Sequence, residues 1–379
     1  MDLRLTDEQH QLQETVARFM RKEYTFERRR EILAAQQSFS PETWRALADL
    51  GLLAVGIPEE HGGLGGSAIE TMLVVEELGR ALMLEPYIPS VVVGSWLVAR
   101  HGSAQQRATL LPSALGGDTR FAFAHEEPGG RFDFASVATQ ARLDGNAIRL
   151  DGRKSVVIHG EAAQVLIVSA REAGAASDRA GVSLFLVPSG ARGVTASGYA
   201  THDGMRACDV TLSDVRVSLA DRLGEAGGAA PMVEHAHERA IAAGCAEAVG
   251  AMSALIEITT NYLKTRKQFG VPIGSFQALQ HRMADMLMRL EQARSMSLLA
   301  ASRVEHADAL QRRRAIAAAK VLVGRAARFV GQEAVQLHGG VGVTDELNVS
   351  HYFKRLIALD AWLGDADHHL ARYSDLLAQ

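Results

Sequence analysis

The sequence has little cysteine: two residues in 379, Cys208 and Cys245. They form no C-x-x-C pair, so neither a disulfide framework nor a thiolate zinc site is expected. It also lacks an excess of positive charge. Lys and Arg number 40 against 44 Asp and Glu, a formal charge of −4. That balance excludes a generic binder of the phosphate backbone, and no nucleic-acid partner is expected. Aromatics are scarce at 6%, while glycine reaches 35 residues, so the core should rest on small and aliphatic side chains. The uncharged stretch Pro86–Ala99 is too short to span a bilayer and holds two prolines, so no membrane partner is expected. Met1–Glu8 shows no basic region leading into an apolar one, which makes the reducing cytoplasm the expected compartment. No G-x-G-x-x-G follows a strand, and neither G-x-x-x-x-G-K-[ST] nor H-E-x-x-H occurs.

Hydrophobic residues at 47% and charged residues at 22% are ordinary globular usage. Histidine is present 14 times, most densely at His235/His237 and His368/His369. On a helix those spacings point to different sides, so neither pair makes a two-ligand site and no metal is expected.

The period of the pattern changes along the chain. Thr6-x-x-Gln9, Ser67-x-x-Glu70 and Ser103-x-x-Gln106 read as capping boxes, and Ser40-Pro41 as an N-cap with proline at the first helical position. The first third is therefore helical. The middle turns to short strand-like runs at Phe121–Ala124, Ser136–Leu143, Ala147–Leu150, Ser155–His159, Val165–Ser169 and Val182–Val187. Asp144-Gly145-Asn146 and Asp151-Gly152 read as turns between them. Val210–Leu212 and Val215–Val217 read as the last strands. Runs this close leave no room for crossover helices, which predicts an antiparallel sandwich or barrel. The last third returns to long helices: one from about Pro231, one from Phe276 past Arg303, and one from Arg312 to about Leu337. On the first of these, His235, Glu238, Ala242, Cys245, Val249, Met252 and Ile256 recur by three or four as one mostly apolar stripe, with Glu247 off it.

Two strings stand at helix ends. In Tyr262–Gln277, Arg266 can pair with a pyrophosphate, Phe269 can pack on a planar ring, and Gly270 can cap a helix. In Gln336–Thr344, three glycines can let a backbone approach a ligand closely, or simply cap a helix.

Together these strings resemble the acyl-CoA dehydrogenase family. Leu50–Gly65 is similar to the family's N-terminal signature, Glu127-Pro128 to the front of its flavin-facing strand motif, and Leu223-Gly224-Glu225 to its exit from the β domain. The resemblance spans essentially the whole chain. Arg266–Gly274, His351–Arg355 and Trp362–Asp365 place it nearest the small-subunit type of pimeloyl-CoA dehydrogenase. It implies a mainly α fold with a central β domain: N-terminal helices over 1–117, a β domain over 118–224 and a C-terminal four-helix bundle over 225–379. It implies FAD at a subunit interface, with Arg266, Gln268, Phe269, Gln277, Gln336, Gly339 and Gly340 binding it.

The implied reaction removes an α-proton from a CoA thioester while hydride leaves the β-carbon for flavin N5. Many members place a glutamate base in a Y-E-G-T string; the matching position here is Gly364. Others carry the base on the long helix before an arginine, which is Glu238-Arg239 here. The spacing places Glu238 on the apolar stripe, where burial would suit a general base. The bland alternative is a solvated glutamate near a helix start. Asp365 and Asp367 are weaker candidates. Gly364 would keep the backbone N–H that polarises the thioester carbonyl. The chain departs from the family at Glu126, where threonine is usual, and at Val156–Ile158, where Trp-Ile-Thr is usual.

Two readings stay open. One is a catalytic dehydrogenase for a CoA thioester, with a dicarboxylyl chain hinted by the subgroup and an electron-transfer flavoprotein as acceptor. The other is a non-catalytic or half-site partner in a heterotetramer with a homologous large subunit. A flavin oxidase or monooxygenase on the same scaffold is a minor third.

Overall fold

A computed structural model of the chain describes residues 5–378. Met1–Arg4, on which the leader reading partly rests, lie outside the described residues, as does Gln379. The chain forms two compact units.

The elements follow the order helix, strand, helix. The first helices are α1 (Asp7–Glu23), α2 (Phe26–Ala34), α3 (Pro41–Asp49), α4 (Ala68–Arg80), α5 (Trp96–His101) and α6 (Ala104–Leu115). The expected capping boxes Thr6/Gln9 and Ser103/Gln106 are both formed, as is the Ser40 N-cap ahead of Pro41. Strands β1 (Phe121–Ala124), β2 (Gln140–Asp144), β3 (Ala147–Ile158), β4 (Val165–Arg171), β5 (Val182–Pro188), β6 (Val194–Ala200), β7 (Arg206–Ser218) and β8 (Arg222–Leu223) come next. Then come α7 (Ala230–Thr265), the short pair β9 (Lys267–Gln268) and β10 (Val271–Pro272), α8 (Gln277–Arg303), α9 (Ala309–His338), α10 (Asn348–Ala361) and α11 (Ala366–Leu377).

One unit holds 32–67 and 84–240. Its eight-stranded sheet runs β6-β7-β3-β2-β4-β5-β8, with β1 beside β4. Most pairings are antiparallel as expected, but β1 and β2 each run parallel to β4, so the sheet is mixed. The expected turn at Asp151-Gly152 is instead a bulge within β3, where the register against β7 shifts between Leu150 and Gly152. Glycine is required there, because a Cβ would stand 2.5 Å from Thr139 Oγ1. The two expected last strands are one, β7. Strand β6 was not expected: it is a sheet edge, mostly exposed, and too polar to show an apolar period. Ala122, Ile148, Leu150, Phe185, Val187 and Val210 are among the residues of its aliphatic core.

The other unit holds 1–31, 68–83 and 241–379. Helix α9 packs against α8, α10 and α11, and α4 lies against α1 and α8. Helices α4 and α7 cross backbone to backbone. A Cβ on Gly79 would stand 2.3 Å from Glu247 O, and one on Gly250 would stand 1.8 Å from Glu76 O. These two glycines set the crossing.

The apolar stripe expected on α7 is not a stripe. Residues 236–252 are buried on every side, charged ones included. Glu247, expected off the stripe, is itself buried and takes a bidentate pair from Arg355 at 2.6 and 2.8 Å. A helix apolar all round is buried, and it leaves no outward face for periodicity to mark. Helix α7 is also long and apolar enough to cross a membrane by composition, but most of that stretch is buried inside the protein, as in a core helix.

Candidate active site

In the sheet unit, the N-terminal part of α7 carries Glu238 and Arg239, exposed by 1% and 5%. Arg239 Nε donates to Val92 O at 3.2 Å, and its guanidinium lies 4.9 Å from the Trp96 ring centroid. The arginine is thus held by a carbonyl and an indole face, a cation–π contact. The Glu238 carboxylate therefore lies out of bulk water, as its place on the sequence pattern predicts.

Just past β1, residues not foreseen as a group come together. Lys154, fully buried, donates to Glu127 Oε1 at 2.7 Å, to Ser169 Oγ at 2.8 Å and to the His125 carbonyl at 3.2 Å. Burial pulls the Lys154 ammonium down to about 8, against the pull of Glu127. Burial also tends to raise Glu127, but the Lys154 charge and hydrogen bonds outweigh it and the carboxyl ends lowered. Beside this pair, His125 Nδ1 lies 2.9 Å from Ser169 Oγ, and His237 Nε2 lies 3.1 Å from Glu126 Oε1. Burial, then His237 and Lys154, hold His125 well below the ordinary histidine range. His235 instead packs edge-on against Trp96 at 4.7 Å, so the two histidines do point to different sides of α7. Next to Glu126, whose carbonyl accepts from Ser155 N, Val156 has φ +52. A β-branched residue at positive φ is strained, and such strain gathers at functional positions.

In the helical unit, the expected cofactor residues fall into two loops that meet. Tyr262 stacks on His338 at 4.3 Å and its hydroxyl donates to the His338 carbonyl at 3.3 Å. That contact sets the ends of α7 and α9 side by side. Arg266, Gln268, Phe269, Gln277, Gln336, Gly339 and Gly340 are all exposed. Gly270 does not cap a helix. It and Phe269, at φ +84 and +54, form the two-residue turn of the β9–β10 hairpin, because α7 ends earlier at Thr265. The hairpin holds Phe269 91% exposed. At Gly339, φ +64, and at Gly340, nothing lies within 4 Å of where a Cβ would be. An exposed guanidinium, an open aromatic ring and bare glycine backbone suit the phosphates and planar rings of a dinucleotide, so these residues fit FAD.

Gly364 lies in a turn held from both sides. Lys320 Nζ donates to the carbonyls of Leu359 and Trp362, and His369 Nε2 lies 2.9 Å from the Leu363 carbonyl. Gly364 has φ +99, and a Cβ there would stand 2.6 Å from His368 Cδ2 and 2.8 Å from His369 Nε2. A glutamate at this position would be strained by the positive φ and would have to displace both imidazoles. Asp365 is spent as the cap of α11, accepting from His368 N at 2.8 Å, and the Asp367 side chain is 93% exposed. Neither offers a desolvated carboxylate.

A mixed sheet between helical segments of the chain, a buried carboxylate and an open FAD-suited loop pair define a flavoprotein oxidoreductase. The comparisons make the class specific. The N-terminal, middle and C-terminal domain models of acyl-CoA dehydrogenase match residues 6–118, 122–215 and 225–374. A probable acyl-CoA dehydrogenase, YngJ of Bacillus subtilis, is 30% identical over 93% of both chains. The ChsE4-ChsE5 complex of Mycobacterium tuberculosis superposes with a TM-score of 0.90 at 30% identity, covering 100% of this chain and 99% of that one. A variant of the Tcur3481-Tcur3483 steroid acyl-CoA dehydrogenase does so at 0.87 and 32%, covering 98% of each. The chain belongs to the acyl-CoA dehydrogenase family and is an acyl-CoA dehydrogenase oxidoreductase.

Proposed function

We propose that this chain desaturates a CoA thioester between Cα and Cβ, with Glu238 as the base. The observation that carries the reading is the burial of Glu238, 1% exposed beside a fixed Arg239, while the alternative position is a glycine at φ +99. FAD, when bound, supplies the two-electron acceptor. Glu238 takes the α-proton at a carboxylate oxygen, from a position out of bulk water. Arg239, tied to Val92 O and Trp96, positions the helix segment that presents it. The Gly364 N–H polarises the thioester carbonyl. Arg266, Gln268, Phe269, Gln277, Gln336, Gly339 and Gly340 bind FAD. An electron-transfer flavoprotein reoxidises it, and the location is cytoplasmic. The three-part division at 1–117, 118–224 and 225–379 describes its domains. The acyl chain is a dicarboxylyl group by subgroup resemblance, whereas the 32% identical steroid enzyme favours a bulkier one. A panel of both thioesters decides between them.

Glu238→Gln should keep its flavin and lose about 10²–10⁴-fold in the rate of anaerobic bleaching by acyl-CoA. Near-normal bleaching would move the base elsewhere.

A second reading has its own support: Glu126 and Val156 depart from the residues usual in the family, Gly364 stands where many members carry the base, and a ChsE4-ChsE5 complex and a Tcur3481-Tcur3483 enzyme are among the solved relatives. On that reading the chain is one half of a heterotetramer. A colourless protein that gains flavin only with a homologous large subunit would favour it.

A further inference from the structure

The proposed proton abstraction assigns no role to the cluster of His125, Glu126 and His237 just past β1. We propose that His125, Glu126 and His237 bind a divalent transition-metal ion of the zinc class. One donor atom from each of the three side chains lies within 4.8 Å of the other two. Zinc bonds of about 2.0–2.2 Å place tetrahedral ligand atoms roughly 3.3 Å apart. The Glu126–His237 pair, at 3.1 Å, already stands at that spacing, and only His125 has to draw in.

The hydrogen bonds set the right nitrogens free. His237 Nδ1 lies 2.9 Å from the Val233 carbonyl, which can only accept, so Nδ1 carries the proton. Nε2 is then the ring nitrogen left to face the Glu126 carboxylate. Two lone-pair donors facing each other at 3.1 Å need a cation or a proton between them. His125 Nδ1 is engaged by Ser169 Oγ, and in the tautomer that donates from Nδ1 the Nε2 lone pair is left for a ligand. Histidine ligands anchored through the second ring nitrogen, to a carbonyl and a hydroxyl, are the usual support of a metal site. His125 and His237 are exposed by only 2% and 4%, so bulk water competes little for their ring nitrogens.

Charge and access agree. Lys154 is close, but its ammonium is spent on Glu127 at 2.7 Å. Two imidazoles and one carboxylate carry one negative charge, and nitrogen donors select zinc-like ions over calcium or magnesium. Phe123 and Phe134 wall the rings, while the Glu126 side chain is 36% exposed, giving an entry and an open coordination position. The inference does not depend on Glu238 being the base.

The test uses the full chain as purified, stripped with a chelator and titrated with Zn²⁺ by calorimetry and with Co²⁺ by its visible absorption. One ion per chain is expected. Glu126→Gln, at a partly exposed site, should bind at least about 10-fold more weakly with an unchanged melting curve. His237→Gln should do the same and should also reduce the Co²⁺ band. The flavin's own visible absorption separates loss of the ion from loss of the cofactor. No uptake by the parent chain would overturn the proposal and leave a protonated His237–Glu126 pair. Uptake that Glu126→Gln does not weaken would overturn it too, by placing the ion elsewhere.

Discussion

The two ends of α7 follow opposite rules. Near its start, Glu234, His237, Glu238 and Arg239 are all exposed by 5% or less. Just past its end, the β9–β10 hairpin holds Phe269 91% exposed. Polar groups are buried where apolar ones are expected, and a large apolar ring is exposed where polar ones are expected. Both inversions are costly without a purpose: buried charge loses hydration, and exposed aromatic surface loses its burial energy. The first suits chemistry that needs a desolvated carboxylate. The second suits recognition of a flat partner. On the proposed reading, the first end reacts and the second holds the cofactor.

The sharpest way to break this contrast is at the reacting end. Glu238→Gln keeps shape and removes charge, so flavin content should persist while bleaching falls by about 10²–10⁴-fold, the span of general-base catalysis. Retained bleaching would reduce the buried start of α7 to mere packing. Next in size, Gly364→Glu should not supply a replacement base. Strain at φ +99 and the clash with His369 should destabilise the chain by about 1–3 kcal/mol, read from urea unfolding. Rescue of a Glu238→Gln chain by this second change would overturn the assignment.

At the holding end, Phe269→Ala should leave stability within about 0.5 kcal/mol, since the ring touches little of its own chain. FAD affinity should fall by roughly 3–10-fold, the worth of one aromatic contact, measured by flavin release on dilution. A large stability loss with full flavin retention would reverse the contrast. The smallest effect is graded. Burial holds His101 down at about 4 and His369 at about 3, against an ordinary 6.5. The unfolded chain takes those protons first, so their contribution is intact above 6.5 and falls away as the pH drops towards about 4. The urea midpoint should decline steadily across that window. A flat midpoint would show that these rings protonate in place.

Much of this was legible in the sequence where the physics is local. Caps at Thr6, Ser40 and Ser103 bond to their own next turns, and all three formed as read. The long helices beginning near Gln277 and Ala309 are marked by period, and their ends fell within a few residues of expectation. The strings at Arg266 and Gln336 were read as belonging together, and Tyr262 stacked on His338 joins them. What was not legible depends on neighbours distant in sequence. Asp151-Gly152 looks like a turn, yet pairing across to β7 keeps the strand running through a bulge. Gly270 looks like a helix cap, but α7 stops short and a hairpin claims it.

The sequence by itself determined the order of helix, strand and helix, the family, the missing glutamate at Gly364 and the candidate at Glu238. These rest on residue identity and on contacts within a few positions. Only the tertiary structure decided that α7 is buried all round, that Gly364 sits at a strained positive φ against two imidazoles, and that Glu126 and His125 meet His237. Spacing along α7 correctly separated His235 from His237, but it could not supply a partner from β1. A helix periodicity describes directions from one axis; which groups wait in those directions is set by chain folded from elsewhere.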